Sequence, residues 1–172
     1  HNANNYKFSF GGNLQLSNYS NTTQYDFYNT NYNTKINFIK YGVFFKSSKT
    51  FINDKLGISF GVRLDQDSFT EKNNVFENIS PRIALSLKIS DDNKWKLNFA
   101  LGRYFKIPTY TSLGFKDRDD TFLNKNSKYT RSDHYVGGLE FNWTESSRFT
   151  FETFYKKYNN YPISLVDGVS IA

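Results

Sequence analysis

The chain of 172 residues contains no cysteine and no methionine. Without cysteine there are no disulfides and no thiolate-held zinc or iron–sulfur centres. The N-terminal HNANNYKFSF lacks the charged-then-apolar order of an export signal. Together with the missing methionine, this predicts an internal piece of a longer chain or a processed one. No run of about 18 apolar residues exists, which excludes a membrane-spanning helix. A spanning β-strand is not excluded, because it needs only about 9–11 alternating residues. Histidine is nearly absent as well: His1 is terminal and His134 is the other.

Aromatics are abundant instead. They make up 19% of the chain, with 18 Phe and 13 Tyr, yet the mean hydropathy is −0.65. A chain that is aromatic and still polar on average must alternate its residues finely, as strands with one apolar and one wet face do. The net charge is +6. The cations are scattered singly, as Lys7, Lys35, Lys40, Lys46, Lys88 and Lys96. Nucleic-acid binding requires a patch or stripe, so the composition does not point there.

Period-2 alternation recurs along the chain. Tyr6, Phe8, Phe10, Leu14 and Leu16 share one face, and Lys7, Ser9, Gly11, Asn13 and Gln15 the other. Leu56, Ile58, Phe60, Val62 and Leu64 oppose Gly57, Ser59, Gly61, Arg63 and Asp65. The same reading holds for 82–89, 94–102, 134–143 and 149–158, and less cleanly for 36–47, where Phe44 interrupts the polar row. That predicts seven strands. Short connections are expected at Phe51–Asp54, Asp91–Asn93 and Glu145–Arg148, and long ones at 18–34, 70–79 and 106–132. Regular long–short alternation is the habit of an up-and-down transmembrane barrel, with tight periplasmic turns and long outer loops. Aromatics near strand ends (Tyr6, Trp95, Tyr135, Trp143, Tyr155) match interfacial girdles. Any antiparallel sheet with one buried face also alternates, so a soluble β-sandwich serving adhesion or carbohydrate binding is the alternative, as is a plug-less porin-like barrel.

Certain strings resemble the TonB-dependent receptor family. GVRLD at 61–65, then a polar loop and SPRIALSL at 80–87, is similar to its mid-barrel hairpin. LGRYFKIPTY at 101–110 resembles its strand leading into a proline-containing outer loop, and HYVGGLEFNWTESSRFTFETFYKKYNNYPIS at 134–164 its next hairpin. The resemblance implies an all-β fold: about seven strands of a roughly 22-stranded antiparallel transmembrane barrel. It implies that residues 1–172 are part of one barrel domain, with the plug, its TonB-contacting box and the other strands outside this sequence. It further implies active transport of a scarce solute across the bacterial outer membrane. The partners would be the TonB energy-transducing protein, outer-membrane lipid, and a lipoprotein or complex partner. The D-G-S-S-R-F type string of glycan importers that work with a lipoprotein lid is absent.

No enzyme is expected. Ser132, Asp133 and His134 are adjacent, and neighbours on a strand point to opposite faces, so they cannot form a relay. Glu140 and Glu152 could suggest glycoside hydrolysis, but they share the polar side with Arg63, Asp65 and Lys156 and read as a lumen-facing charge network. KDRDD at 116–120 lacks the spacing of a calcium loop. Neither a metal nor a cofactor is expected. The longest loop has one functional hint: Tyr104, Tyr110, Phe115, Arg118 and Phe122 could contact a ligand, because loops on rigid walls often do.

Overall fold

The computed structural model describes residues 6–25, 30–71, 74–117 and 119–163. Seven strands follow one another: β1 (Lys7–Tyr25), β2 (Thr30–Phe51), β3 (Leu56–Asp67), β4 (Ile79–Lys88), β5 (Trp95–Lys106), β6 (Thr130–Thr144) and β7 (Ser147–Asn159). They form one sheet in the order β1-β2-β3-β4-β5-β6-β7, every neighbour antiparallel. The sheet makes a half-barrel. Sequential order without crossovers is what tight hairpins produce.

The short turns explain their own tightness. Ile52, Asn53 and Asp54 all have positive φ, as has Asn93 in the β4–β5 turn. Asn and Asp tolerate this left-handed region because their side chains bond locally; Ile52 is the costly member. Thr50 Oγ1 donates to Asp54 Oδ1 at 2.7 Å and braces the first turn. Two of the long connections are also present, at 68–78 with a 3-10 turn (Val75–Asn78), and at 107–129 with a one-turn helix α1 (Tyr110–Leu113).

The third expected long connection is corrected. Residues 18–25 and 30–34 are strand rather than loop: β1 and β2 stay paired in register from Lys7↔Ser48 to Tyr25↔Thr30, and 26–29 lie outside the described residues. Their Asn, Ser, Thr and Tyr content disguised strand as loop. Thr and Tyr are good strand formers, and the segment carries polar residues on its outward face because it rises past the apolar zone.

That zone can be traced rung by rung. On the apolar face, β1 runs Phe8, Phe10, Leu14 and Leu16 before turning to Asn18, Ser20 and Thr22. Its partner turns polar at the same level, where Leu16 faces Ile39 and Asn18 faces Asn37. On β3 the row ends at Leu64. On β5, β6 and β7 it ends at the rung Leu101–Tyr135–Tyr155, which aligns with Phe60 through Ile83. Counted along β3, the boundary slips from Ser68, the partner of Ile39, to Phe60. That is eight residues, or about 27 Å, over four to five strand spacings totalling about 22 Å. A level boundary crossing the rungs this steeply corresponds to strands tilted by roughly 50°, near the 35–45° of transmembrane barrels.

The apolar face is the outer surface, not the inside of a sandwich. Phe10 is 83% and Leu16 79% exposed, and Phe151, Leu14, Phe60 and Leu101 are all open. Soluble proteins rarely display so large an apolar patch. Among the described residues only Ile36, Phe38, Leu113 and Tyr129 are buried hydrophobics, and all four lie on or beneath the loops of the other face. At the turn end the outer face closes on an aromatic level. Trp95 stacks on Phe141 with ring centroids 4.3 Å apart, Phe141 meets Trp143 edge-on, and Lys49 sits 4.0 Å over Tyr6.

Candidate functional site

The polar face holds a built structure at the loop end. Along β2 the sequence Thr34-Lys35-Ile36-Asn37-Phe38-Ile39-Lys40 switches parity. Below Ile39 the apolar residues other than Phe44 point outward; above it, Ile36 and Phe38 point the other way, and both are buried. The 107–129 loop folds down onto them. Thr109 caps α1 by accepting from Ser112 N, and Leu113 at its end is fully buried against Ile36 and Phe38.

Gly114 permits that approach. A Cβ there would sit 2.5 Å from Thr34 Cγ2 and 3.0 Å from Tyr110 O, so no side chain fits. Thr34 Oγ1 then donates to Gly114 O at 2.6 Å. Lys40 Nζ donates to Tyr110 OH at 2.6 Å, and Tyr19 OH donates to Thr111 Oγ1 at 3.3 Å. The Tyr110 ring packs edge-on to Phe38 (5.3 Å) and to Tyr19 (5.8 Å). These contacts tie the loop to the β1–β2 extension that rises above the apolar zone.

Asp67, buried at the end of β3, organises the neighbouring connection. Its carboxylate accepts from Phe69 N and Thr70 N at 2.8 Å, from Thr70 Oγ1 at 2.7 Å and from Tyr129 OH at 2.6 Å. Phe69 bridges Phe38 and Phe122 (5.9 and 5.3 Å), and Lys125 Nζ reaches Glu71 at 3.0 Å. The two long connections thus form one docked assembly.

Burial first, and then the hydrogen bond to Asp67 and its charge, push the Tyr129 phenol above its ordinary range. The docked state therefore holds the neutral phenol. This contribution to docking is complete below about pH 10, the ordinary phenol value, and is lost as pH rises from there toward the folded-state value. Tyr129→Phe is expected to weaken docking by about 1.5–3 kcal/mol, as a hydrogen bond to a charged group is lost, and to flatten the alkaline dependence. Hydrogen exchange of 107–129 against pH measures both; a Phe variant with unchanged exchange would remove Tyr129 from this role.

The residues singled out in the sequence are distributed as follows. Tyr110 and Phe122 lie in the packed interior of the loop assembly, each half-buried. Phe115 is 42% exposed on its outside. Arg118 lies outside the described residues. Tyr104 is not in the loop but on β5. There it lies over Gly102, with Arg82 Cζ 4.3 Å from its ring and the His134 ring 4.5 Å away. A Cβ at position 102 would fall within 3.0 Å of that tyrosine.

The polar wall below carries the expected charges. Arg63 donates to both oxygens of Asp65 at 2.6 Å and to Asn13 Oδ1 at 2.7 Å. Glu140 accepts from Lys96 at 2.9 Å and from Asn142 at 3.3 Å. Lys156 lies 5.0 Å over Phe154, and Glu152 faces Gly138 across the β6–β7 ladder. Arg63, Asp65, Glu140, Glu152 and Lys156 therefore share one face.

Among the described residues the candidate catalytic groups are divided between faces or engaged in the loop's own turns. Ser132 and His134, two residues apart, do meet at 2.7 Å, but Asp133 points to the opposite face and pairs with Arg103. Asp117 Oδ1 accepts from the N–H groups of Asp119 and Thr121, and Asp120 holds Lys116, so these carboxylates serve the loop's own turn. What the assembly offers is a shaped polar surface over one end of a curved wall.

The whole of residues 1–172 matches the family described as TonB dependent receptor-like, beta-barrel. The chain belongs to this family. No curated protein and no solved structure matches it. TonB-dependent receptors are transporters rather than enzymes, and the family implies an interaction with TonB and a place in the bacterial outer membrane.

The buried pair Ile36 and Phe38, together with Thr34, Asp67 and Tyr129, is the part of the site that sequence reading missed. The parity switch between Phe38 and Ile39 was the available signal. A strand that reverses its apolar face has entered a different environment.

Proposed function

We propose that this chain forms part of the wall of an outer-membrane importer. In this reading the 107–129 loop hangs over the lumen and contributes to solute capture, and TonB acts through a plug to open the path. The observation that carries it is the docking of the loop assembly on the polar face, through Leu113, Tyr110 and Tyr129, rather than away from the wall. A loop held there narrows the mouth and presents Phe115, Thr111 and Thr121 at the opening. Glu140, Lys96, Arg63 and Asp65 form a paired charge network along the wall below, suited to a hydrated path rather than to catalysis. Tyr104, Tyr110, Phe115, Arg118 and Phe122 stay the candidate loop contacts. Tyr110 and Phe122 would act by shaping the loop, and Phe115 by touching solute directly.

Topology is the first test. Consecutive connections of an up-and-down barrel alternate sides, so in whole cells a membrane-impermeant thiol reagent should label Asp119→Cys and spare Ser146→Cys. Labelling only at position 146 would put the docked loop in the periplasm and end its role in capture. Recovery of the full-length protein in the aqueous fraction without detergent would favour the soluble alternative.

A further inference from the structure

The outer face carries a feature that lumen transport does not use. One rung of that face runs Phe60–Ile83–Leu101–Tyr135–Tyr155 across β3 to β7. The next rung toward the loops begins apolar, with Val62 and Pro81, and then becomes charged: Arg103 faces Asp133, which faces Lys157. One rung further, Arg131 stands on the same face and opposes Asn159.

The sheet is split at this level. The β4–β5 ladder ends at Arg82↔Gly102, while β5 and β6 stay paired as far as Lys106↔Thr130. Pro81 has no N–H to extend the ladder. Beside the split lies a groove of about 420 Å³, with Phe60, Pro81, Ile83, Leu101 and Tyr135 along it and Arg103 and Asp133 at its upper end.

The charged end is unbalanced. Asp133 Oδ1 accepts from Arg103 Nε at 2.7 Å, and Asp133 Oδ2 lies 3.3 Å from Arg131 Nε. One carboxylate thus sits between two guanidiniums and beside Lys157, leaving an excess of two positive charges. Arg103 engages Asp133 through Nε, and its side chain is 42% exposed. Cations directly above an exposed apolar and tyrosine rung sit where the headgroups of a bilayer begin.

We propose that this groove binds one anionic lipid bearing a phosphate monoester. Its phosphate is held by Arg103, Arg131 and Lys157, and an acyl chain lies down the groove toward Phe60. The occupant follows from complementarity. A phosphate monoester carries close to two negative charges and offers several acceptor oxygens to the guanidinium forks, matching the excess of two. The apolar floor continues from the charged end toward mid-depth, so one molecule with a headgroup and a chain satisfies both parts. A free phosphate would leave the floor empty, and a neutral or zwitterionic lipid would leave the cations unmatched. Asp133 acts as a positioning residue, its two carboxylate oxygens holding Arg103 on one side and Arg131 on the other.

The inference rests on the reading of the outward face as lipid-facing. Its test uses the full-length receptor, reconstituted in dioleoyl phosphatidylcholine bilayers with and without dioleoyl phosphatidic acid. Lipid retained by the protein is read by native mass spectrometry after release into mild detergent. Phosphatidic acid is expected to be retained in preference to phosphatidylcholine. In the Arg103→Gln/Lys157→Gln double variant that preference should fall roughly thirtyfold, on the order of fivefold per cation. Ile83→Trp fills the groove without touching the charges and should weaken retention too, which separates the lipid from inorganic phosphate. Inorganic phosphate added alone should not compete. Heat-modifiable migration on a gel confirms that each variant has folded. Equal retention of the two lipids, or retention unchanged in both variants, overturns the proposal and leaves the barrel reading standing. Failure of the wild-type receptor to enter bilayers at all overturns both.

Discussion

Phe60→Arg in the full-length receptor is expected to destabilise the folded barrel by about 2–4 kcal/mol, while Ser59→Arg, one residue away, should cost far less. Phe60 stands in the middle of the outward row Leu56–Leu64 and is exposed there. Mid-depth in the hydrocarbon, an arginine must either lose its hydration or drag water inward, and both costs are greatest far from either interface. Ser59 lies on the polar face opposite Ser48 and Ala84, where water and the neighbouring charges accept a cation. Equilibrium unfolding of each variant from lipid vesicles measures the difference. Equal losses would mean that the two faces see the same surroundings and would sink the assignment of inside and outside. Leu64→Arg, near the boundary on β3, should fall between the two.

Leu113→Ala should release the docked loop without melting the wall. Leu113 is 0% exposed and sits at the centre of the cluster with Ile36 and Phe38. Truncating a buried leucine usually costs about 2–5 kcal/mol, because the site collapses only in part. Here that loss falls on an assembly held by one small apolar cluster and a few hydrogen bonds, so docking itself is expected to fail. The barrel's backbone ladders do not depend on Leu113, so global unfolding should change little. Hydrogen exchange separates the two: amides in 107–129 should exchange faster while those of β2 to β6 stay protected. Solute uptake, where capture depends on the docked loop, should fall with docking. Loss of barrel protection alongside the loop would show that the loop is part of the folding core rather than a cap on it. Unchanged loop exchange would show that Leu113 does not hold it.

The strands were legible in the sequence because each has a single physical instruction. Leu56 to Leu64 alternates with small or charged residues, and only one backbone geometry puts five apolar side chains on one side at that spacing. Short turns such as Ile52–Asp54 and Asp91–Asn93 were equally legible, since Asn and Asp accept positive φ. The strand residues 18–25 and 30–34 were not, because their polarity is a consequence of height. Strand polarity normally distinguishes loop from wall, but a hairpin that climbs past the apolar zone keeps its hydrogen bonds and changes its outward residues to Asn, Ser and Thr. Arg63, Asp65, Glu140, Glu152 and Lys156 could be assigned to one face by parity alone. Their partners could not, since Arg63 on β3 reaches past β2 to Asn13 on β1.

By itself, then, the sequence determined the seven strands, their alternating faces and the family to which they belong, because period and turn chemistry are local properties of the chain. Only the tertiary structure decided that Tyr110 and Phe122 pack inside a docked loop, that Asp67 and Tyr129 fasten it, and that Arg103, Arg131 and Lys157 gather above an apolar groove. Each of these depends on the register between strands distant in sequence. Register is set by the whole ladder of backbone hydrogen bonds, and one segment read alone holds no information about which residue it will face.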